Sequence, residues 1–411
     1  MLYQFHELNR TFLNPLIQWA EASSKLFTNP VSPFAHTPFA QRIAAGYELM
    51  YRLGKDYEKP QFNLESVLVN GNAVGIIEEV AEKKSFCTLI HFKKNLSDKD
   101  FEALKQPRIL LVAPLSGHHS TLLRDTVRSL LQEHDVYLTD WTDARMVPLS
   151  EGAFHLHDYV FYVQDFIRLL GPALHVISVC QPTVPVLAAI SLMASANDPK
   201  LPKTMTMMGG PIDPRKSPTQ VNDLATEKPF SWFENKVIYS VPPNYPGYGR
   251  KVYPGFLQHA GFIVMNPGRH AQSHWDFYMH LREGDNESAE EHRKFYDEYN
   301  AVLDMPAEYY LETIKTVFQE FRLPKGIWEI DGKLVRPQDI KTVALFTIEG
   351  ELDDISGAGQ TQAAHELCSG IPQKMKQDFV APQCGHYGIF SGRRWREIIS
   401  PKIGEFIKNN S

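Results

Sequence analysis

Cysteine is scarce in this sequence, and the few cysteines lack the spacing of a metal site. The 411 residues contain four of them, Cys87, Cys180, Cys368 and Cys384, scattered along the chain. Structural zinc sites and disulfide frameworks both need closely or regularly spaced cysteines. We therefore expect no bound metal and no cofactor, and reduced thiols of the kind found in cytoplasmic proteins.

Long apolar runs and an excess of positive charge are also missing. No run approaches the ~18 apolar residues of a membrane-spanning helix, and the opening MLYQFHELNR lacks the basic and apolar regions of a signal peptide. The net charge of −6 disfavours a nucleic-acid partner. We expect a cytoplasmic, globular protein without a transmembrane segment.

Short apolar runs alternate with amphipathic segments over much of the chain. Runs at residues 109–114, 174–179 and 204–208 are typical of buried parallel strands, and residues 154–170 have helical periodicity. This alternation predicts an α/β fold with a mostly parallel sheet flanked by helices. Because the pattern is interrupted, we predict a helical extension at 1–60, a core at 61–210, an inserted cap at 211–339 and the rest of the core at 340–411.

The segment 173–194 combines a short strand, a sharp turn and an apolar helix. Cys180 lies at the turn, between Ser178 and Pro182. This is the context of the nucleophile elbow G-x-S-x-G, with Ser178 and Pro182 at the glycine positions. We expect Pro182 in the first turn of a helix that begins close to Gln181, where a proline is tolerated. A helix N-terminus favours thiolate, so Cys180 is a candidate nucleophile. Taken alone, a buried structural cysteine is the more common occurrence.

Two further residues stand where an α/β-hydrolase fold holds its acid and its histidine. Asp353 follows the strand predicted at 343–348, and we prefer it to Asp354 because it comes three residues after Gly350. His386 lies on a glycine-flanked loop after the next strand. An aspartate in a turn or a histidine in a loop is ordinary by itself. The order nucleophile, acid, histidine predicts a triad in which His386 moves the proton and Asp353 orients the imidazole.

An oxyanion hole needs two backbone donors near the nucleophile. We assign the N–H groups of Gln181, after the nucleophile, and Leu115, in the loop 113–119. Ser116, the second choice for this donor, and His118 of the same loop are candidate substrate contacts, although an ordinary loop position is the more common occurrence for such a histidine.

With these motifs in hand, the sequence resembles the intracellular poly(3-hydroxybutyrate) depolymerases over nearly its whole length. The matching segments are the opening MLYQFHELNR and residues 113–119, 138–145, 179–182, 349–355 and 385–388. The resemblance implies an α/β-hydrolase with a cap, action on amorphous storage granules in the cytoplasm, and release of 3-hydroxybutyrate or short oligomers. It also supports Cys180, Asp353 and His386 as a Cys-His-Asp triad that forms a thioester acyl-enzyme.

Two contacts with the polymer are open at the level of sequence. The cap aromatics Trp232 and Tyr245 are candidates for guiding an oligoester chain to Cys180, but they also suit the cap's own core. The N-terminal helices offer an apolar surface for a granule, or they pack on the main domain.

Three alternatives remain beside hydrolysis. A polyhydroxyalkanoate synthase-like acyltransferase uses the same nucleophile, but such enzymes have glycine where Ser178 and Pro182 stand. Coenzyme A is an alternative acyl acceptor for the depolymerase, although no nucleotide-phosphate motif supports it. A granule-bound scaffold would not need the triad. Monomer preference, endo or exo attack and homo-oligomer formation leave no sequence signature.

Overall fold

A nine-stranded sheet forms the centre of the computed structural model, which describes residues 2–29, 31, 38–265 and 267–411. The first three of its strands run antiparallel and the other six are parallel. The strands of the described chain are β1 (Ser66–Val69), β2 (Asn72–Lys83), β3 (Cys87–Lys94), β4 (Arg108–Val112), β5 (Asp135–Trp141), β6 (Leu174–Val179), β7 (Thr204–Met208), β8 (Tyr239–Ser240), β9 (Lys251–Tyr253), β10 (Met305–Pro306), β11 (Glu329–Ile330), β12 (Lys333–Leu334), β13 (Ala344–Gly350) and β14 (Lys376–Ala381).

The sheet order is β1-β2-β3-β5-β4-β6-β7-β13-β14. Every residue of β6, β7 and β13 is buried, because helices cover both faces of a parallel sheet. Strands β5, β4, β6 and β7 are joined through helices, as the alternation in the sequence predicts. This mostly parallel sheet flanked by helices is the α/β-hydrolase fold, and that prediction is confirmed.

Helices connect the strands and extend beyond them. None of the described helices is both long enough and apolar enough to cross a membrane. The helices are α1 (Leu2–Thr28), α2 (Pro38–Gly54), α3 (Asp98–Leu104), α4 (Arg124–Leu130), α5 (Leu156–Leu170), α6 (Thr183–Ser195), α7 (Gln220–Glu227), α8 (Phe230–Lys236), α9 (Gly255–Met265), α10 (Pro267–Glu283), α11 (Asn286–Tyr299), α12 (Ala307–Thr313), α13 (Ala364–Leu367), α14 (Gly392–Arg394) and α15 (Ser400–Asn409).

The segment between β7 and β13 leaves the α/β alternation. It holds α7 to α12 and two small sheets, β10-β9-β8 and β11-β12. Here the chain is rich in helices and poor in long strands, so it cannot extend the main sheet. We call this segment the cap.

The two N-terminal helices pack on each other and are joined to the cap by polar contacts. The Tyr3 hydroxyl of α1 donates a hydrogen bond of 2.6 Å to Asp304, which follows α11. From α2, Glu48 pairs with Arg293 at 2.7 Å and Arg52 pairs with Asp297 at 2.8 Å. These contacts join α1 and α2 to the region of α11.

Candidate active site

Cys180 lies in a strained turn between β6 and α6. Its φ of 69° is in the left-handed region, which an L-residue with a Cβ occupies at a cost of about 1–3 kcal/mol. The Cys180 N–H donates a hydrogen bond of 2.7 Å to the Met208 carbonyl at the end of β7, which holds the turn in place. A strained residue between a strand and a helix is the geometry of a nucleophile elbow. The thiol is half-buried.

Small residues surround the turn because strand and helix approach closely there. A Cβ on Gly210 would lie 1.8 Å from Thr183 Oγ1 and 2.4 Å from the Cys180 carbonyl oxygen, so only glycine fits. Ser178 is fully buried, and its hydroxyl donates to the Thr206 carbonyl at 3.3 Å. Pro182 occupies the N-cap position of α6, which begins at Thr183. The sequence expectation of Pro182 inside the first turn was therefore wrong by about one residue.

Asp353 and His386 form a buried pair. His386 Nδ1 lies 2.8 Å from Asp353 Oδ2, and the Asp353 side chain is 1% exposed. The other carboxylate oxygen of Asp353 accepts hydrogen bonds from the N–H groups of Ile355 and Ser356, at 2.9 and 2.8 Å. The carboxylate is thus fixed on both sides and can orient the imidazole. Asp354, the neighbouring alternative, is exposed.

Electrostatic interactions link His386 to Cys180 as well as to Asp353. Burial lowers the pKa of His386, but negative charge on Cys180 and Asp353 outweighs burial and raises the pKa well above its ordinary value. The imidazolium is therefore stabilised when a thiolate stands beside it. These interactions bring together the three residues that the sequence assigned to a triad.

The two predicted oxyanion donors follow the ends of the paired strands β4 and β6, where Val112 lies opposite Ser178. Leu115 and Gln181 are both buried, and no described residue accepts a hydrogen bond from either N–H. The end of β4 that leads to Leu115 is held by Trp141 and Tyr159, which donate to the Ala113 carbonyl at 2.8 and 3.1 Å. The assignment of these two N–H groups to an oxyanion hole stays a prediction.

The loop histidine His118 is a buried contact with the cap. Its ring stacks on Phe262 with 4.8 Å between centroids, and its Nε2 lies 3.2 Å from the Tyr299 carbonyl. Burial lowers the pKa of His118 to about 4, so the ring is neutral near pH 7. Ser116 beside it is half-buried. A substrate role for His118 and Ser116 stays a prediction.

A cavity of about 1190 Å³ lies between His386 and the cap. We call it the triad cavity after His386, since Cys180 and Asp353 do not line it. Its walls combine α10 and α11 of the cap with the loops that carry Asp354 and His386. Its carboxylates are Asp223, Asp276, Glu291 and Asp354, and its arginine is Arg269. Its aromatic residues are Phe262, Phe277, Phe295, Tyr296, Tyr299 and Tyr387.

The two cap aromatics singled out from the sequence are not among the residues that line the triad cavity. Tyr245 donates a hydrogen bond of 3.0 Å to Glu7 of α1, and Trp232 packs edge-to-face on the buried Phe233. Sequence reasoning did not find the cavity aromatics, because only the folded cap brings α10 and α11 beside His386. No local motif marks them.

One group of described residues has side chains close enough to hold a metal ion. Ligand atoms of His155, His157 and Glu312 lie within 4.8 Å of one another. His155 Nδ1 and Glu312 Oε1 are already 2.6 Å apart, which joins the start of α5 to α12. None of the three lines the triad cavity, and the group shares no residue with the triad.

Residues 209–411 match the family model described as PHB de-polymerase C-terminus, where PHB is poly(3-hydroxybutyrate). This match supports a PHB depolymerase-like hydrolase. The matched region of this hydrolase contains the cap, Asp353 and His386, while Cys180 precedes it. No curated protein matches the chain.

Solved α/β-hydrolase structures resemble this chain at low identity. A monoacylglycerol lipase from Paleococcus ferrophilus is 14% identical and covers 74% of this chain and 95% of its own, with a TM-score of 0.45. The 2-hydroxy-6-oxo-6-phenylhexa-2,4-dienoate hydrolase of Rhodococcus sp. strain RHA1 is 13% identical and covers 82% and 99%, with a TM-score of 0.44. The strand order and the elbow carry the fold assignment without them.

Proposed function

We propose that this protein hydrolyses poly(3-hydroxybutyrate) to 3-hydroxybutyrate and short oligomers, with Cys180 as nucleophile. The observation that carries the proposal is the strained Cys180 beside the buried Asp353–His386 pair. The family match of residues 209–411 supports the polyester substrate. Ester hydrolysis needs a nucleophile, a proton carrier and an oxyanion site, and candidates for all three lie around this turn.

The first half of the reaction forms a thioester. His386 takes the thiol proton, and the Cys180 thiolate attacks the ester carbonyl carbon. The N–H groups of Leu115 and Gln181 stabilise the oxyanion of the tetrahedral intermediate. As the intermediate collapses, the carbon–oxygen bond of the ester breaks, and His386 gives its proton to the leaving alkoxide. The shortened polymer leaves with a new hydroxyl end.

The second half of the reaction resolves the thioester. His386 takes a proton from water, the hydroxide adds to the thioester carbonyl, and the carbon–sulfur bond breaks. The carboxylic acid leaves and the Cys180 thiol regains its proton. Asp353 keeps one imidazole orientation through both halves, because its hydrogen bond to Nδ1 leaves Nε2 free to exchange protons with Cys180 and water.

Water is favoured over coenzyme A as the acceptor by the charge of the triad cavity. Four carboxylates and one arginine line its walls, so the phosphates of coenzyme A would meet mainly negative charge. A polyhydroxyalkanoate synthase would take its acyl groups from the same coenzyme and would meet the same repulsion. A neutral polyester chain is not repelled by these carboxylates.

The α1 helix supports the proposed association with the granule in the cytoplasm. Large apolar side chains on one side of this helix are roughly half exposed or more, and we call them the α1 stripe: Phe5, Leu8, Phe12, Leu16 and Trp19. Exposed apolar surface of this extent on one helix is unusual in a protein without an apolar partner. A hydrophobic polyester surface is such a partner.

Hydrolysis of amorphous poly(3-hydroxybutyrate) granules tests the function. The wild type, Cys180→Ala and the matched control Cys368→Ala are compared, each with and without coenzyme A. Cys368 is also a free thiol, but it is fully buried, and burial raises its pKa to about 12. We expect acid release by the wild type and Cys368→Ala, independent of coenzyme A, and none by Cys180→Ala.

Other outcomes of the same assay point elsewhere. A coenzyme A thioester as product would identify thiolysis. Polymer growth from hydroxybutyryl-coenzyme A, with no acid release, would identify a synthase. Full activity of Cys180→Ala would show that Cys180 is not the nucleophile. Granule binding without any turnover by the wild type would identify a scaffold.

A further inference from the structure

Two polar side chains beside Cys180 are buried without a hydrogen-bond partner. Tyr309, on α12 of the cap, is 1% exposed, and its hydroxyl has no partner among the described residues. The Gln181 side chain follows Cys180 directly, and both its amide oxygen and its amide nitrogen lack partners. Leaving one such group unsatisfied costs about 1–3 kcal/mol, so three unsatisfied atoms in one place require an explanation.

Aromatic packing holds the ring of Tyr309. It stacks on Tyr159 with 5.6 Å between centroids and an angle of 16°. Tyr159 in turn stacks on Trp141 at 4.2 Å, and its hydroxyl already donates to the Ala113 carbonyl. The two tyrosines thus differ: the hydroxyl of Tyr159 is used inside the core, whereas that of Tyr309 is not.

The hydroxyl of Tyr309 interacts electrostatically with Cys180 of the elbow. Burial first, and then negative charge on Cys180, raise the pKa of Tyr309 well above its ordinary value, while the side chains of Gln181 and Thr313 lower it. The amide approaches the hydroxyl closely enough to affect it, but no hydrogen bond of ordinary geometry joins them. The hydroxyl is therefore protonated near neutral pH and available as a donor next to the thiol.

The acyl group that Cys180 would carry has a polar atom that can form hydrogen bonds with Tyr309 and Gln181. In a 3-hydroxybutyryl unit, carbon 3 bears an oxygen, which is a hydroxyl at a chain end and an ester oxygen within the polymer. A hydroxyl donor and an amide with both donor and acceptor atoms can bind either form. A plain butyryl group offers only hydrogen at the same position and would leave these buried groups unsatisfied.

We propose that the Tyr309 hydroxyl and the Gln181 side-chain amide bind the oxygen on carbon 3 of the acyl group and so select 3-hydroxyacyl esters over plain acyl esters. The inference rests on the proposed function, because it assumes that the acyl group is bound at Cys180. Sites built to bind a substrate hydroxyl reject analogues that lack it, since their own polar groups are then left unpaired.

Activated esters that need no granule test this selection. The ratio of kcat/KM for p-nitrophenyl 3-hydroxybutyrate to that for p-nitrophenyl butyrate is measured for the wild type, Tyr309→Phe and Gln181→Met. Loss of one such hydrogen bond corresponds to about a tenfold change. We expect the wild type to favour the hydroxylated ester at least ~10-fold, and each variant to lower the ratio by ~5-fold or more.

Tyr310→Phe is the matched control. Tyr310 is the next residue on α12, but it is only half-buried and packs on Tyr253 with 4.4 Å between centroids. Its variant should keep the wild-type ratio. Thermal unfolding of all variants checks that they fold.

Two results would overturn the inference: a wild type without preference, or a Tyr309→Phe and a Gln181→Met that slow both esters equally. Cys180→Ala in the same assay separates this inference from the proposed function. If Cys180→Ala is inactive on both esters, but Tyr309→Phe and Gln181→Met leave the ratio of kcat/KM values unchanged, only the proposed selection fails. If Cys180→Ala keeps its activity, the proposed nucleophile fails as well.

Discussion

Two adjacent aspartates with different surroundings show how burial assigns a role to a single residue. Asp353 is buried, holds His386 and accepts two backbone hydrogen bonds. Asp354 is exposed at the wall of the triad cavity, with no hydrogen bond or ion pair to any described residue. The position of the pair after a buried strand was readable from the sequence. The choice between the two carboxyls rested on a spacing from Gly350.

Replacing each aspartate by asparagine tests that choice. We expect Asp353→Asn to lower kcat by about 10²–10⁴-fold, because the imidazole loses both its orientation and the charge that stabilises its protonated form. Asp354→Asn, the control, should have an effect at least ~10 times smaller. Initial rates on a soluble p-nitrophenyl ester provide the measurement, and equal effects at both positions would contradict the assignment.

The titration of His386 depends on its partners. In the folded protein the pKa of His386 is raised, so its protonated form contributes stability that is complete below its unfolded pKa of about 6.5 and is lost as the pH rises through the folded pKa. Cys180→Ala removes one source of negative charge while burial stays. We therefore expect a lower pKa of His386 in Cys180→Ala than in the wild type.

Nitrogen chemical shifts of labelled histidine, followed against pH, measure this difference. Cys368→Ala is again the control and should titrate like the wild type, because Cys368 does not interact with His386. An unchanged or raised pKa of His386 in Cys180→Ala would show that the two side chains are not coupled.

At the scale of elements, the strand and helix of the elbow can be predicted from local sequence better than the parts of the cap around them. The strand 174–179 and the apolar helix after it could be predicted from hydrophobic pattern and proline placement. The helix begins at Thr183, and Pro185 falls in its first turn, where the missing N–H has no intrahelical acceptor. Tyr309 and the cavity aromatics could not be predicted. Tyr309 stacks on Tyr159, which is far from it in sequence, and the aromatics of the cap line a cavity with His386 only in the folded protein.

Replacing Gly210 by alanine tests how tightly the elbow is packed. An alanine there would collide with Thr183 and with the Cys180 carbonyl, so β7 and α6 would have to separate at the elbow. We expect Gly210→Ala to lower the free energy of unfolding by about 1–3 kcal/mol or more, and to lower activity, because the thiol moves relative to His386.

Gly46 in α2 is the control, since a Cβ there would meet nothing within 4 Å. Gly46→Ala should stabilise the protein by about 0.5–1 kcal/mol through helix propensity. Thermal and urea unfolding give both values. A Gly210→Ala as stable and as active as the wild type would show that the elbow is not tightly packed.

At the scale of the whole molecule, α1 is attached to the rest of the protein on one side and leaves its apolar side open. Tyr3, Ile17 and Ala20 face inward and are buried, while the α1 stripe is largely exposed. Within the stripe, Trp19 also packs edge-to-face on Tyr47 of α2. The apolar periodicity of this helix was readable from the sequence. Which side would be covered was not, because that depends on where α2 and the cap lie.

We predict that the α1 stripe binds the polymer granule. Phe12→Glu and Leu16→Glu place a charge in the α1 stripe and should lower binding to amorphous polymer at least ~10-fold, because each loses apolar contact and adds a charge that must be desolvated. Gln18→Glu adds the same charge to α1 outside the stripe and should bind like its parent.

Co-sedimentation with polymer granules, in a Cys180→Ala background so that the polymer is not consumed, measures the binding. Circular dichroism checks that the helix is retained. Equal binding by all three charge variants would exclude the α1 stripe as the granule contact.

Formation of an acyl-thioester on Cys180 is the central chemical claim, and mass spectrometry tests it most directly. The enzyme is quenched in acid during turnover of a soluble 3-hydroxybutyrate oligomer and then digested. The low pH keeps the thioester intact during digestion. We predict a hydroxybutyryl adduct on the peptide that contains Cys180, removed by hydroxylamine and absent in Cys180→Ala. An adduct on another residue, or undiminished turnover by Cys180→Ala, would contradict this account.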